Sequence, residues 1–192
     1  MYTLVFATNN QHKVDEIQSL VGFDFKIIPL KEAGITIDIP EPHDTLKENA
    51  AEKARTIHTL TQKNCFSEDT GLEIDFLNGA PGVKSARYAG EDRDFQANID
   101  KVLHELNNTT NRASQFRTVI CLIWENKEYY FEGVCKGIIT TEMNGEKGFG
   151  YDPIFIPTGS TKSFAAMTMD EKNSFSHRQK AVTQLFSFLK EL

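Results

Sequence analysis

Two kinds of strand connection in one chain set the main constraint on this fold. In the first half, apolar β-rich runs alternate with amphipathic helical stretches. In the second half, the strand-like runs 115–125 and 128–141 follow one another across only Asn126-Lys127. A two-residue connection can join only antiparallel neighbours, whereas a helical crossover suits parallel ones. The expectation is therefore an α/β chain with a mixed sheet and helices packed against it, not a purely doubly wound one.

Periodicity places the elements. Residues 2–7 read as a strand, and 11–21 as a helix with Val14, Ile17 and Val21 on one face. FKIIP (25–29) and ITIDI (35–39) read as short strands, after which Pro40, Glu41 and Pro42 break the chain. Thr45-Leu-Lys-Glu48 is a capping-box pattern opening a helix to about Leu60. NCFSE (64–68) reads as a strand ending at Asp69-Thr70-Gly71, and 77–90 as a loop. A helix from about 93 to 106 carries Ile99, Val102, Leu103 and Leu106 inward. A last helix, 177–190, follows Ser176 as N-cap, with an interruption expected near Asn173 to Ser176.

Composition narrows the class. With 192 residues the chain suffices for one domain, residues 1–192, of one or two lobes, but not for two full-sized domains. A net charge of −6 argues against a general nucleic-acid or membrane-surface binder. No apolar run reaches the ~18 residues of a transmembrane helix, and the start lacks a signal-peptide layout. Cys65, Cys121 and Cys135 are odd in number, form no CxxC pair and sit in strand-like runs. They read as reduced core residues of a cytoplasmic protein.

Four constellations carry chemistry. The first is Thr8-Asn9-Asn10 where the opening strand ends, with Lys13 on the first turn of the helix that follows. Strand–turn–helix starts favour anions through freed N–H groups and the helix dipole. This one lacks glycine, so side chains would do the holding. The structural alternative is a helix N-cap beside a solvated lysine. The second is Glu41 between prolines and Asp69 at a strand end, oxygen donors of the kind Mg²⁺ prefers. Ordinary turn and capping acids are the alternative. The third is Glu48, Asn49 and Lys53, the last two four residues apart on one helix face. The fourth is GFGYDP with Lys172 and Ser176-His177-Arg178, an aromatic to stack on a base and cations to read its edge.

Other signals fail. GAPGVKS (79–85) has the wrong spacing for a Walker A loop, and GEKGFG (145–150) is not GxGxxG and opens no helix. Adjacent Ser176 and His177 cannot form a nucleophile–base pair, and no paired zinc spacing exists. A phosphate grip, a metal site and a base reader together describe a nucleotide enzyme.

Six motifs in series, TNNQHK, ENAAEKA, EDTGL, GAPGVKSARYAG, GFGYDPIF and EKNSFSHRQKA, resemble the inosine triphosphate pyrophosphatase family from Phe6 to Ala181. The resemblance implies an elongated α/β fold in which two lobes flank a central cleft over a long mixed sheet, usually in a homodimer. It implies Mg²⁺-dependent cleavage of non-standard purine nucleoside triphosphates (ITP, dITP, XTP) to monophosphate and pyrophosphate. Carried onto this chain, Thr8, Asn9, Asn10, Gln11, His12, Lys13 and Lys53 would hold the triphosphate. Glu41 and Asp69 would bind metal, with Asp69 also the base that activates water, and Thr70 would contact substrate. Phe149 would stack on the purine, Gly150, Tyr151 and Asp152 would line its pocket, and Lys172, His177 and Arg178 would contact the base. One departure is Ala166, where relatives often carry a glutamate.

Hydrolysis at phosphorus needs charge neutralisation and an in-line water more than a covalent nucleophile. Lys172 and Arg178 are donors only, so they suit the O6 acceptor of hypoxanthine or xanthine and oppose the amino group of adenine. The implied partner is a small-molecule nucleotide, with neither nucleic acid nor membrane. Competing readings are a hydrolase for another modified nucleotide and a nucleotide sensor without catalysis.

Overall fold

The computed structural model describes residues 2–20 and 25–191. Its elements are β1 (Tyr2–Phe6), α1 (Gln11–Gln18), β2 (Phe25–Pro29), α2 (Leu46–Thr61), β3 (Cys65–Ile74) and β4 (Pro81–Gly82). They continue with α3 (Phe95–Glu105), β5 (Ala113–Trp124), β6 (Lys127–Ile139), β7 (Phe155–Pro157), α4 (Met169–Phe175) and α5 (His177–Lys190). The strand order is β2-β1-β3-β5-β6-β7, with β4 paired to β3. β1 runs parallel to β2 and β3, while β3–β4 and β6–β7 are antiparallel. The expected mixed sheet is present.

The chain divides into two compact units. Unit 1 holds residues 1–69, 118–133 and 178–192; unit 2 holds 70–117 and 134–177. In unit 1, strand alternation sorts side chains onto two faces. Leu4 and Phe6 of β1, Phe66 of β3 and Ile120 and Leu122 of β5 pack with Val14 and Ile17 of α1 and Val182, Leu185 and Leu189 of α5. Their sequence neighbours Val5, Ala7, Cys65, Cys121 and Ile123 pack instead with Ala50, Ala54 and Ile57 of α2. The same parity governs the polar middle of β3, where Glu68 and Asp69 must turn to opposite faces. Unit 2 has its own core, in which Ile99 and Val102 of α3 meet Leu72, Ile74, Phe116, Ile139, Ile154, Phe155 and Phe164.

Local signals explain most element ends. Thr45 caps α2, its hydroxyl oxygen accepting from Glu48 N–H (3.1 Å) and its O–H donating to Glu48 Oε2 (2.8 Å). The β5–β6 turn is Glu125-Asn126, both at positive φ, one residue before the expected Asn126-Lys127. The expected break before the last helix falls at Ser176, between α4 and α5. α1 stops at Gln18, and Val21 lies outside the described residues.

Two expectations are corrected. Residues 35–39 form no strand: Ile35 instead turns back to donate its N–H to Leu30 O, and Ile37 stays exposed. Nor does β3 end at Asp69. It continues through Asp69-Thr70-Gly71 to Ile74, because Leu72 and Glu73 pair with Gly82 and Pro81 of β4. Gly71 permits that pairing, since a Cβ there would lie 2.6 Å from Gly82 O. No described helix is long and apolar enough to cross a membrane.

Candidate active site

Unit 1 carries the residues expected at phosphate and metal. The opening turn is partly self-supporting: Thr8 Oγ1 accepts from Asn10 N–H (3.1 Å), and Asn10 Oδ1 caps α1 by accepting from Lys13 N–H (3.4 Å). The N-cap reading is thus present, and an N-cap leaves the remaining N–H groups of a helix start able to meet an anion. Asn9, Gln11 and His12 are exposed, and Gln11 Nε2 donates to Asp15 Oδ1 (2.7 Å). Lys13 reaches back over the turn to Glu68, with Nζ 3.1 Å from Oε1.

On the other sheet face, α2 projects Lys53 toward the end of Pro40-Glu41-Pro42 and toward β3. Its ammonium donates to Glu41 Oε1 (2.5 Å) and Asp69 Oδ1 (3.1 Å). Burial works against the Lys53 charge, but Asp69 and Glu41 outweigh it and its pKa is raised. The Asp69 pKa is also raised, first by burial and then by the nearby Glu41 charge, against the pull of Lys53. Asp69 Oδ2 is buried without a hydrogen-bond partner among the described residues. Such an orphaned carboxylate oxygen costs stability and fits a group that acts on a ligand.

Glu41 and Asp69 therefore converge on one cationic point, filled here by the Lys53 ammonium. No group of three or more His, Cys, Asp or Glu suited to a metal exists among the described residues. Two carboxylates and an unpartnered oxygen still fit Mg²⁺, which usually takes one or two carboxylates and completes its shell with water and substrate phosphates. The third constellation shrinks to Lys53. Glu48 is bonded to the N-cap Thr45, and Asn49 is buried in a two-way bond with the His43 backbone.

Unit 2 carries the residues expected around the base. Asp152 Oδ2 accepts from the Phe149 N–H (2.9 Å) and from Lys172 Nζ (2.7 Å), so one buried carboxylate fixes both the loop and the lysine. Gly148 is required twice: its φ is +77°, and a Cβ would lie 2.1 Å from that carboxylate oxygen. Lys172 Nζ lies 5.4 Å from the ring centroids of both Phe149 and Phe164, held between two aromatic faces. Tyr151 is buried and donates its hydroxyl to Ser85 O (2.8 Å), and Gly150 adopts φ +59°. Thr70, the first residue of unit 2, is half-buried. His177 is buried in this unit, stacked on Phe116 at 4.7 Å. Ala166 ends a short turn in which its N–H donates to Ser163 Oγ (3.2 Å).

Arg178 lies in unit 1, and its guanidinium is committed to carboxylates. Nε and Nη2 donate to Glu68 Oε2 and Oε1 at 2.8 Å each, and Nη1 donates to Glu16. At 2% exposure it is a buried ion-network residue. The family resemblance implies a place at the base for Arg178, and Glu16 belongs to none of the sequence constellations. Glu16 stands one helical turn after Lys13, a spacing that puts both on one side of α1, and that was the available signal.

The chain matches the model of the Ham1 family over residues 4–188. It is 49% identical to a dITP/XTP pyrophosphatase of Flavobacterium psychrophilum over 187 residues, covering 97% of this chain and 98% of that one. It is 48% identical to a dITP/XTP pyrophosphatase of Porphyromonas gingivalis, covering 98% of each. Among solved structures, the Staphylococcus aureus Ham1 protein superposes with a TM-score of 0.89 at 38% identity, covering 98% of both chains. A HAM1 protein from Coxiella burnetii gives 0.91 at 37% identity over all of both chains. With motifs, fold and full-length similarity in agreement, the chain belongs to the Ham1 family.

Proposed function

We propose that this protein hydrolyses non-standard purine nucleoside triphosphates, dITP and XTP together with ITP, to the monophosphate and pyrophosphate. The reading rests above all on Asp69, a buried carboxylate with one oxygen on Lys53 and the other without a hydrogen-bond partner among the described residues. Relatives named dITP/XTP pyrophosphatase at 49% and 48% identity support the substrate class.

The residues divide the work by chemistry. Lys13 and Lys53 neutralise phosphate oxygens, and the turn from Thr8 to His12 orients the chain of phosphates with its N–H groups and side chains. Glu41 and Asp69 would hold Mg²⁺, which when bound supplies charge neutralisation at the phosphate oxygens. Asp69 Oδ2, a buried carboxylate oxygen without a hydrogen-bond partner among the described residues, accepts the proton of the attacking water. Phe149 supplies a stacking face, with Thr70, Gly150 and Tyr151 beside the substrate. Lys172, pinned by Asp152, donates to O6, and His177 completes the base-side set. Donor-only chemistry at O6 opposes adenine, since unpaired buried polar groups are costly. Arg178, whose guanidinium donates to Glu68 and Glu16, is assigned to that ion network and not to the base. A homodimer working in the cytoplasm completes the proposal.

The test is incubation with Mg²⁺ and, separately, dITP, XTP, ITP, GTP and ATP, resolving monophosphate plus pyrophosphate from diphosphate plus phosphate. Rapid IMP-type products with little ATP or GTP turnover are expected, and EDTA should abolish them. Binding of ITP without turnover of any nucleotide would overturn catalysis in favour of a sensor. Preferred turnover of a different nucleotide would overturn the substrate class.

A further inference from the structure

Four charged side chains of unit 1 form a chain that begins and ends on the same helix. Lys13 of α1 pairs with Glu68 of β3, Glu68 takes both near-side donors of Arg178 at the start of α5, and Arg178 donates onward to Glu16 of α1. Charges alternate along it and sum to zero. Glu68, Arg178 and Glu16 are 2%, 2% and 5% exposed, while the Lys13 side chain is 18% exposed. Only the lysine end therefore reaches outward.

A buried ion network is poor material for stability, because apolar residues of similar volume usually serve as well or better. Its virtue is geometric. The bidentate Arg178–Glu68 fork fixes a carboxylate in orientation as well as in place. Glu68 precedes Asp69 in β3, with its side chain on the opposite face, and its carboxylate holds the Lys13 ammonium. The arrangement therefore fixes the phosphate-binding lysine relative to the strand that carries the proposed base.

We propose that Glu16 and Glu68 are positioning residues: through Arg178 they tie the first turn of α1 to the acidic stretch of β3 and set where Lys13 meets a phosphate. The inference rests on the phosphate-binding assignment of Lys13 above. Glu16 touches neither phosphate nor base in this scheme and acts entirely through Arg178, Glu68 and Lys13. A displaced ammonium on a flexible stem still finds a mobile triphosphate but stabilises the transition state less well, so the signature is in kcat more than in KM.

The experiment is a double-mutant cycle between Glu16→Gln and Lys13→Met, with kcat and KM for dITP and the melting temperature measured for each protein. Glu16→Gln is expected to lower kcat about tenfold with KM changed less than threefold. In the Lys13→Met background it should change kcat less than threefold. A shifted melting temperature with wild-type kcat and KM would overturn the proposal, and so would the full tenfold effect persisting without Lys13. Glu16→Asp preserves the buried charge balance and supplies the same cycle if Glu16→Gln does not fold. If the wild type turns over no nucleotide, the functional reading fails by itself, and tripolyphosphate binding by calorimetry then decides the positioning role. Glu16→Gln should weaken tripolyphosphate binding about twofold with Lys13 present and leave it unchanged with Lys13→Met. Equal weakening in both backgrounds, or none in either, would overturn it.

Discussion

Replacing Asp69 by asparagine should separate activity from stability. The substitution keeps shape and one bond to Lys53 but removes the proton acceptor. Losing a positioned general base costs about 10²- to 10⁴-fold in kcat, which is about 3–5 kcal/mol of transition-state stabilisation. Stability should barely move, because two terms oppose each other. The charge-assisted bond from Lys53 at 3.1 Å is weakened, a loss of about 1.5–3 kcal/mol. Removing a charge buried away from water returns about 1–3 kcal/mol, and Lys53 keeps Glu41 at 2.5 Å. A net change within about 1 kcal/mol corresponds to about 2–4 °C in melting temperature for a chain of this size. The assay is steady-state release of pyrophosphate from dITP at saturating Mg²⁺, paired with thermal unfolding of the same preparations. Turnover within tenfold of wild type would refute the base assignment. A melting point lowered by more than about 8 °C, with activity falling only as the folded fraction falls, would show a structural role instead.

Three further outcomes follow. Phe149→Leu should raise KM for dITP, because about 1–3 kcal/mol of base stacking is lost, while tripolyphosphate binding stays unchanged; equal loss for both ligands would contradict stacking. The Glu68 carboxyl is fully buried, yet Arg178 and then Lys13 hold its pKa far below the ordinary value of 4.5. A depressed carboxylate contributes stability that is present above that value and lost as pH falls through its folded pKa. Glu68→Gln should therefore be less stable than wild type near pH 7, with the gap in urea midpoint narrowing as the pH is lowered below about 4; a gap independent of pH would refute the network's charge balance. Cys65 and Cys121 are buried, and burial pushes both thiols up to about 12. Neither should react with Ellman's reagent in the native protein at pH 8, and both should react in denaturant; native reactivity at either would contradict that burial.

Sequence by itself determined the type and order of most elements, because those depend on local rules. The capping box at Thr45, the period of α3 and the short link between β5 and β6 each state their structure within a few residues. The six motifs pointed to the family, and local reading paired Glu41 with Asp69 as acids, but nothing local showed that Lys53, placed with the phosphates, would sit between them. Where local reading failed, a partner distant in sequence made the difference. Asp69-Thr70-Gly71 has turn composition, but pairing with β4 draws it into a strand, and ITIDI has strand composition but is paired with no strand among the described residues. Arg178 shows the same division most clearly. Its donors are spoken for by Glu68, 110 residues away, and Glu16, 162 residues away. A side chain's charge and reach are local properties, whereas the group that answers it is chosen by which faces the sheet and helices bring together.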